Sequence, residues 1–141
     1  MRPIRFAIQP LLDLFERLGA VTMAQMKGAL GTQVDVTVFR KLSTLSYLSS
    51  YSHRGSFYTL KSIPRYNSYG LWCCRGAWFS RHGTLLDTAT ALVRASPSGY
   101  FVGELESILQ VPLKDPLRQL VQSGRLHRDM FDGLYLYTVS Y

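Results

Sequence analysis

The stretch from Val34 to Lys61 constrains the fold most, because its hydrophobic spacing changes from helical to alternating within one segment. In its first part apolar residues recur every three or four positions, which is the spacing of one buried helix face: Val38, Leu42 and Leu45. From Leu48 onward the period is two, and the run turns back around Gly55. The stretch therefore predicts a helix with Asp35 as its N-cap, followed directly by a β-hairpin.

The outward face of this predicted helix and the tip of the hairpin both carry cationic or hydroxyl side chains. On the helix these are Thr37, Arg40, Lys41 and Thr44, and at the tip they are His53, Arg54 and Ser56. Such a helix with a basic hairpin behind it is the arrangement that places a helix in the major groove of DNA and a wing on the backbone or in the minor groove. The alternative is a solvated helix face and a polar turn.

Composition favours a folded chain with a polyanionic partner. Of its 141 residues, 47% are hydrophobic and 18% are charged, which is typical of globular proteins and not of disordered tails. The net charge is +7, and it is concentrated early: residues 1–62 hold eight Lys and Arg against three acidic residues, while residues 63–141 hold eight against six. The first part is therefore the better candidate for contact with phosphates.

Several classes of protein are not expected. No apolar run approaches the roughly 20 residues that span a bilayer, and no signal peptide is recognisable. The adjacent Cys73 and Cys74 cannot form a disulfide framework, so we expect an intracellular protein of the cytoplasm, or of the nucleoid if it is bacterial. Together with His82 they lack the spacing and the fourth ligand of a metal site. Phosphate-binding glycine loops and paired carboxylates are also absent, so no catalysis and no cofactor are expected.

The residues before the central stretch predict two further helices. Residues 1–9 alternate as an edge strand would, and an arm along DNA is the alternative interpretation. A first helix is expected from Pro10 to Gly19, with Leu11, Leu12, Phe15 and Leu18 on its buried side. Thr22 should cap a second helix over Met23–Leu30. Residues 1–62 thus form a first predicted domain of three helices and a hairpin. Residues 63–83 are predicted to be a linker that contains a short hairpin, with strands at Leu71–Cys74 and Ala77–Ser80.

From residue 84 to residue 141 the same pattern returns and predicts a second domain. It comprises a helix ending at Ser96, a short helix over Val102–Leu109, and a third helix that is capped by Asp115 and ends at Gly124. A second hairpin follows, with a four-residue turn over Met130–Gly133. A shift of 78 residues superposes the two patterns and aligns Phe39 with Leu117, Leu42 with Leu120 and Leu48 with Leu126. A supersecondary pattern that occurs twice is stronger evidence than a single copy.

The run TVFRKL at residues 37–42 resembles the start of a recognition helix, and SHRGSFYTL at residues 52–60 resembles a wing. On these motifs the chain resembles the winged helix-turn-helix superfamily, in a tandem arrangement over nearly its whole length. The resemblance implies a mainly helical α+β fold of two winged domains, each with three helices and a hairpin wing. It also implies binding of double-stranded DNA, and some members of the superfamily are protein-binding modules instead. The arrangement is similar to the DNA-binding front ends of mobile-element proteins.

The remaining candidate contacts are weaker. Lys27, Gln33 and Gln25 are candidates for phosphate contact from the preceding helix and turn. In the second domain the candidates are Lys114, Arg118 and Arg125, although its predicted wing tip carries Asp132 where the first carries Arg54.

The aromatic residues have two interpretations each. Tyr47, Tyr51, Phe57 and Tyr58 alternate as sheet residues do, with base stacking as the alternative. Five others are candidates for internal core or for a homodimer or domain interface: Trp72, Trp78, Phe79, Tyr135 and Tyr137. The function expected first is sequence-specific DNA binding by a transcription regulator. The alternatives are a protein-interaction or dimerisation module and a DNA-binding accessory of a nucleic-acid enzyme.

Overall fold

The computed structural model of the chain describes residues 7–139, and the strand or arm predicted over residues 1–9 lies largely outside them. The expected α+β class is confirmed, because the described residues form six helices and three small antiparallel sheets. The chain divides into two compact units: the first comprises Met1–Arg65 and Trp72–Phe79, and the second comprises Tyr66–Leu71 and Ser80–Tyr141. The domain boundaries expected at residues 62 and 84 remain a prediction. Most of the hairpin expected in the linker belongs to the first unit.

The first unit contains three helices and a three-stranded sheet. Its helices are α1 (Gln9–Leu18), α2 (Met23–Leu30) and α3 (Asp35–Leu42). Its strands are β1 (Val21–Thr22), β2 (Tyr47–Ser49) and β3 (Phe57–Leu60), in the order β1-β3-β2. The buried core between helices and sheet consists of Leu11, Leu14, Phe15, Val21, Met26, Leu30, Val38 and Leu42. In α1, Leu14 is fully part of this core, whereas the predicted core residues Leu12 and Leu18 are only half-buried.

The caps of α2 and α3 differ in how well they were predicted. Thr22 caps α2 as expected: its hydroxyl accepts the N–H of Gln25, whose side-chain oxygen accepts the N–H of Thr22 in return. The N-cap assigned to Asp35 is wrong. Val34 holds that position, and its N–H is already bound by the hydroxyl of Thr32 at 3.1 Å. Asp35 is instead the first helical residue, where a carboxylate interacts favourably with the helix dipole.

A further hairpin, β4 (Leu71–Cys74) and β5 (Ala77–Ser80), lies at the predicted place. Its turn residues Arg75 and Gly76 have φ values of 53° and 81°, as a two-residue hairpin turn requires. Within the first unit, Ala77 and Phe79 bury themselves against Ala20, and Trp72 packs on this cluster with Leu48, Phe57 and Cys74. Trp72, a candidate for internal core or for an interface, packs within the first unit.

The second unit repeats the order of elements. Its helices are α4 (Leu85–Ala95), α5 (Val102–Leu109) and α6 (Lys114–Gln122). Its strands are β6 (Tyr100–Phe101), β7 (Leu126–Phe131) and β8 (Leu134–Val139), in the order β6-β8-β7. Asp115 does not cap α6, because Leu113 is the N-cap and its N–H donates to a carboxylate oxygen of Glu106 at 2.8 Å. The turn predicted to have four residues has two, Asp132 and Gly133, with φ values of 48° and 80°.

Strand registers show that the two patterns are offset by 79 residues and not by 78. The pair Val21 and Tyr58 corresponds to the pair Tyr100 and Tyr137, and each member moves by 79 positions. The other strand pairs agree, since Tyr47 with Leu60 corresponds to Leu126 with Val139. With this offset the buried Val38 falls on the buried Leu117, so the alignment of Phe39 with Leu117 is corrected. In both units the first strand of the three-stranded sheet lies between the first two helices, and the other two strands follow the third helix.

Candidate nucleic-acid interface

The outward face of α3 is centred on Arg40. Val38 and Leu42 are fully buried, so the 3.6-residue period turns Val36, Thr37 and Arg40 to the opposite side. Val36 is 55% exposed, Arg40 is exposed and Thr37 is half-buried at the edge of this face. The surface thus combines a guanidinium, a hydroxyl and an exposed apolar side chain. Val36 was missed in the sequence, although its position four residues before Arg40 places both on one face.

The other two predicted contacts of this helix lie at its margin. Lys41 is half-buried on the flank of α3. Thr44 lies beyond the helix end, and its hydroxyl donates to the carbonyl oxygen of Lys41 at 2.7 Å. The hydroxyl of Ser43 likewise donates to the carbonyl oxygen of Arg40 at 2.9 Å. These bonds use the only proton of each hydroxyl, so Thr44 has only acceptor capacity left for a ligand.

The candidates for phosphate contact before α3 are occupied to different degrees. Lys27 forms an ion pair with Asp35, which offsets its charge. The side-chain oxygen of Gln25 accepts the N–H of Thr22 at 3.0 Å and Arg75 Nη1 at 3.2 Å, so this residue serves the helix cap. Gln33 is exposed in the loop before α3. Of these three, Gln33 is the most available to a ligand.

The tip of the first hairpin is a tight turn in a left-handed conformation. His53, Arg54 and Gly55 have φ values of 51°, 54° and 73° and form a short 3-10 turn. For residues other than glycine this conformation costs about 1–2 kcal/mol each. The turn is closed by bonds from Gly55 N–H to Ser52 O and from Ser56 N–H to His53 O, both 3.1 Å.

The β4–β5 hairpin fixes the base of this tip. Trp78 N–H donates to Ser52 Oγ at 2.8 Å, and Tyr51 N–H donates to Trp78 O at 2.9 Å. Ser50 Oγ also donates to Ser52 O at 2.7 Å, and both serines are buried. Burial raises the pKa of Tyr51, with a smaller contribution from Cys73, so its phenol stays neutral. The strain in the tip is therefore held by hydrogen bonds on both sides of the turn.

The three predicted contacts at the tip are not equivalent. The ring of His53 lies edge-on to Phe57 with 5.3 Å between centroids, and its Nδ1 lies 2.9 Å from Ser52 Oγ. All three residues are exposed, but among the described residues Arg54 and Ser56 make no such ring contact. His53 therefore stabilises the turn, and Arg54 is the cation that the turn presents to solvent.

The two units differ in how their cations are paired. Among residues 7–139, no ion pair involves Arg40, Lys41 or Arg54. In the second unit, Arg118 pairs with Asp115 at 3.1 Å and Arg125 with Asp87 at 2.8 Å. Hydrogen bonds from Arg125 and with Thr84 lower the pKa of Asp87, so this carboxylate stays charged. Lys114 is exposed. The unpaired positive charge around the third helix is thus greater in the first unit.

The second hairpin has an apolar tip, of which Met130 and Phe131 were predicted to be turn residues. Met130, Phe131 and Leu134 are 55%, 52% and 55% exposed, and Tyr135 is exposed beside them. Met130 pairs with Tyr135 and Phe131 with Leu134 across the two strands. Arg128 lies over the ring of Tyr135 at 4.1 Å from its centroid. We call Met130, Phe131, Leu134 and Tyr135 the apolar tip. The available signal was the set of apolar residues on both sides of Asp132-Gly133.

The other aromatic residues are largely used within their own units. Tyr58 contacts both Phe39 and Tyr47, with ring centroids 6.0 and 6.2 Å apart. Burial raises the pKa of Tyr58, with smaller contributions from Tyr47 and Asp35. Phe79 and Tyr137 are buried, so neither is available to a partner chain.

The part of the chain that the structure describes contains no cluster of three or more His, Cys, Asp or Glu residues able to hold a metal ion. It also contains no helix that is both long and apolar enough to cross a membrane. Comparisons with protein-family models, curated proteins and solved structures gave no match for the chain.

Proposed function

We propose that this chain binds double-stranded DNA at specific sequences, as a transcription regulator built from two tandem winged helix-turn-helix domains. Each unit supports this by its three helices and by a hairpin that directly follows the third helix and belongs to a three-stranded sheet. This order is that of a helix-turn-helix with a wing.

In the proposed complex, α3 of the first unit enters the major groove. The guanidinium of Arg40 suits the two acceptors of a guanine, Val36 suits a thymine methyl group, and the hydroxyl of Thr37 suits either type of base. Arg54 at the strained tip contacts the backbone or a narrow minor groove. The observation that carries the proposal is the exposed face of α3, where Arg40 has no ion pair among the described residues and Arg54 follows on the adjoining hairpin.

Selection of bound sequences from a random pool of duplexes tests the proposal. We expect a defined site to be enriched, and binding to it to weaken steeply with added salt because phosphate contacts release counterions. A matched control is Arg94→Ala, which removes an exposed arginine from α4. Enrichment of no sequence, or equal weakening by Arg40→Ala and Arg94→Ala on the selected site, would reject the proposal.

The apolar tip favours a second candidate function, a protein-interaction module. Three large apolar side chains, each more than half exposed, are unusual in a hairpin that only faces water, and exposed apolar patches often mark sites of protein contact. A homodimer is the simplest partner. Sedimentation of the wild type and of Phe131→Ser separates the possibilities: a dimer that dissociates in Phe131→Ser while DNA binding persists supports a separate interaction surface, and a monomeric wild type excludes the homodimer.

A further inference from the structure

An open cleft lies within the second unit, on the side of α4. Its volume is about 440 Å³, which falls in the range of sites for small organic ligands. Its apolar floor is formed by Ala91, Leu92 and Ala95, which are three or four residues apart or adjacent on one face of α4. Tyr69 and Tyr100 also line it. The cleft thus combines an apolar surface with two tyrosine residues.

Two adjacent residues with nitrogen-containing side chains, Arg81 and His82, line the same cleft. Their backbones are fixed, since Arg81 N–H donates to Gly70 O at 2.9 Å and His82 N–H donates to Ser80 Oγ at 3.0 Å. Both side chains lie over Gly70: a Cβ atom on that residue would be 2.5 Å from Arg81 Nε and 3.1 Å from His82 Nε2. The lack of a side chain at Gly70 is therefore what allows Arg81 and His82 to lie together here.

The electrostatics of the cleft favour an anion. None of its lining residues is acidic, and no ion pair among residues 7–139 involves Arg81. Arg81 acts on Tyr66 through its positive charge, which partly offsets the rise in the pKa of that phenol caused by burial. A guanidinium that is free of carboxylates and lies beside an imidazole provides charge-assisted donors for a carboxylate or phosphate group.

We propose that this cleft is a binding site for a small aromatic anion. Arg81 and His82 bind the anionic group, while the aromatic body of the ligand lies on Ala91 and Leu92 between Tyr69 and Tyr100. The proposal is independent of DNA binding, because none of these residues belongs to α3 or to either wing.

Titration of the ¹⁵N-labelled full chain with benzoate, followed by amide chemical shifts, tests the site. We expect saturable shifts at Tyr69, Arg81, His82 and Tyr100, and affinity at least about tenfold lower for the neutral benzamide because a charge-assisted pair is lost. Phenyl phosphate tests whether the site prefers a phosphate to a carboxylate, and inorganic phosphate tests whether the aromatic body is needed.

Two variants and one control complete the test. Arg81→Gln should weaken benzoate binding at least about tenfold. The control Arg94→Gln removes the same charge from an exposed position of α4 outside the cleft lining and should leave binding unchanged. Ala95→Leu fills the floor while keeping both donors, so it should weaken benzoate more than inorganic phosphate. Absence of saturable shifts in the folded wild type, equal affinity for benzamide, or equal losses in Arg81→Gln and Arg94→Gln would each overturn the proposal.

Discussion

Arg40 lies on the face of α3 opposite the buried side chains of Val38 and Leu42, and it has no acidic partner among the described residues. Its guanidinium is therefore free to form two parallel hydrogen bonds with a planar acceptor. Lys27 differs, because Asp35 already offsets its charge. Base contact is proposed for Arg40, and the sequence made Lys27 a candidate for phosphate contact, so mutation of each tests the two roles separately.

We expect Arg40→Ala to weaken binding to the selected site by about 1–3 kcal/mol and to relax base preference at one position. Lys27→Ala should have a smaller effect that is the same on all duplexes, since phosphates carry no sequence information. Fluorescence anisotropy with the selected and a scrambled duplex measures both. If Arg40→Ala weakens the two duplexes equally, Arg40 does not contact a base.

Substitutions at two glycines, Gly19 and Gly28, test the packing of the first unit. Gly19 has a φ of 77°, and a Cβ atom there would lie 2.9 Å from Cys74 Sγ. Gly19→Ala should therefore destabilise the protein by about 1–2 kcal/mol. Gly28 is the control: it lies inside α2 with nothing within 4 Å, so Gly28→Ala should stabilise by about 0.5–1 kcal/mol. Urea unfolding measures the change in unfolding free energy of both variants. An unchanged unfolding free energy in Gly19→Ala would contradict the close packing of the hairpin on this turn.

At the scale of elements, the first wing combines strain with exposure. Arg54 has a φ of 54°, which glycine adopts without steric cost. Arg54→Gly should therefore raise the unfolding free energy by up to about 1 kcal/mol while it weakens DNA binding. Arg54→Ala removes the same charge and keeps the strain, so it should weaken binding equally without the gain in stability. Thermal unfolding measures the stability of each variant, and fluorescence anisotropy on the same samples measures its DNA binding. A loss of stability in Arg54→Gly would show that the turn is not strained at this residue.

The elements themselves could be predicted well because each has a local signal. Thr22 with Gln25 encodes a cap, and Arg75-Gly76 encodes a two-residue turn. The errors concern long-range contacts. Asp35 reads as a cap in the sequence, but it forms an ion pair with Lys27 from the preceding helix. The packing of β4 and β5 on Ala20 joins residues more than fifty positions apart, which no local pattern can show.

The candidate site was predicted in its composition but less well in its geometry. Arg40 and Arg54 are exposed as expected, whereas His53 supports the turn and Thr44 has already donated its hydroxyl proton. These roles depend on neighbours across a turn, so residue type alone could not reveal them. The apolar tip was missed because Asp132-Gly133 made the flanking residues resemble part of a longer turn.

At the scale of the whole molecule, charge is divided between two units of the same element order. Arg40, Lys41 and Arg54 have no ion-pair partner among the described residues, whereas Arg118 and Arg125 each have an acidic partner. The first unit should therefore dominate the long-range attraction to DNA.

The salt dependence of binding tests this division. Lys41→Ala should reduce the slope of log K against log salt concentration by about 0.9, the value for one lost phosphate contact. Arg125→Ala should leave the slope unchanged, because Asp87 already offsets the charge of Arg125. Both variants are measured on the same duplex over a range of salt. An equal decrease in both would show that the second unit also contributes to phosphate binding.

The two hairpins match in strand register, although their tips differ in conformation and chemistry. Residues 50–57 connect the paired residues Ser49 and Tyr58, and residues 129–136 connect the equivalent pair Arg128 and Tyr137. Both connecting segments have eight residues. The same strand register therefore supports a cationic tip in the first unit and an apolar tip in the second, which suit ligands of different chemistry.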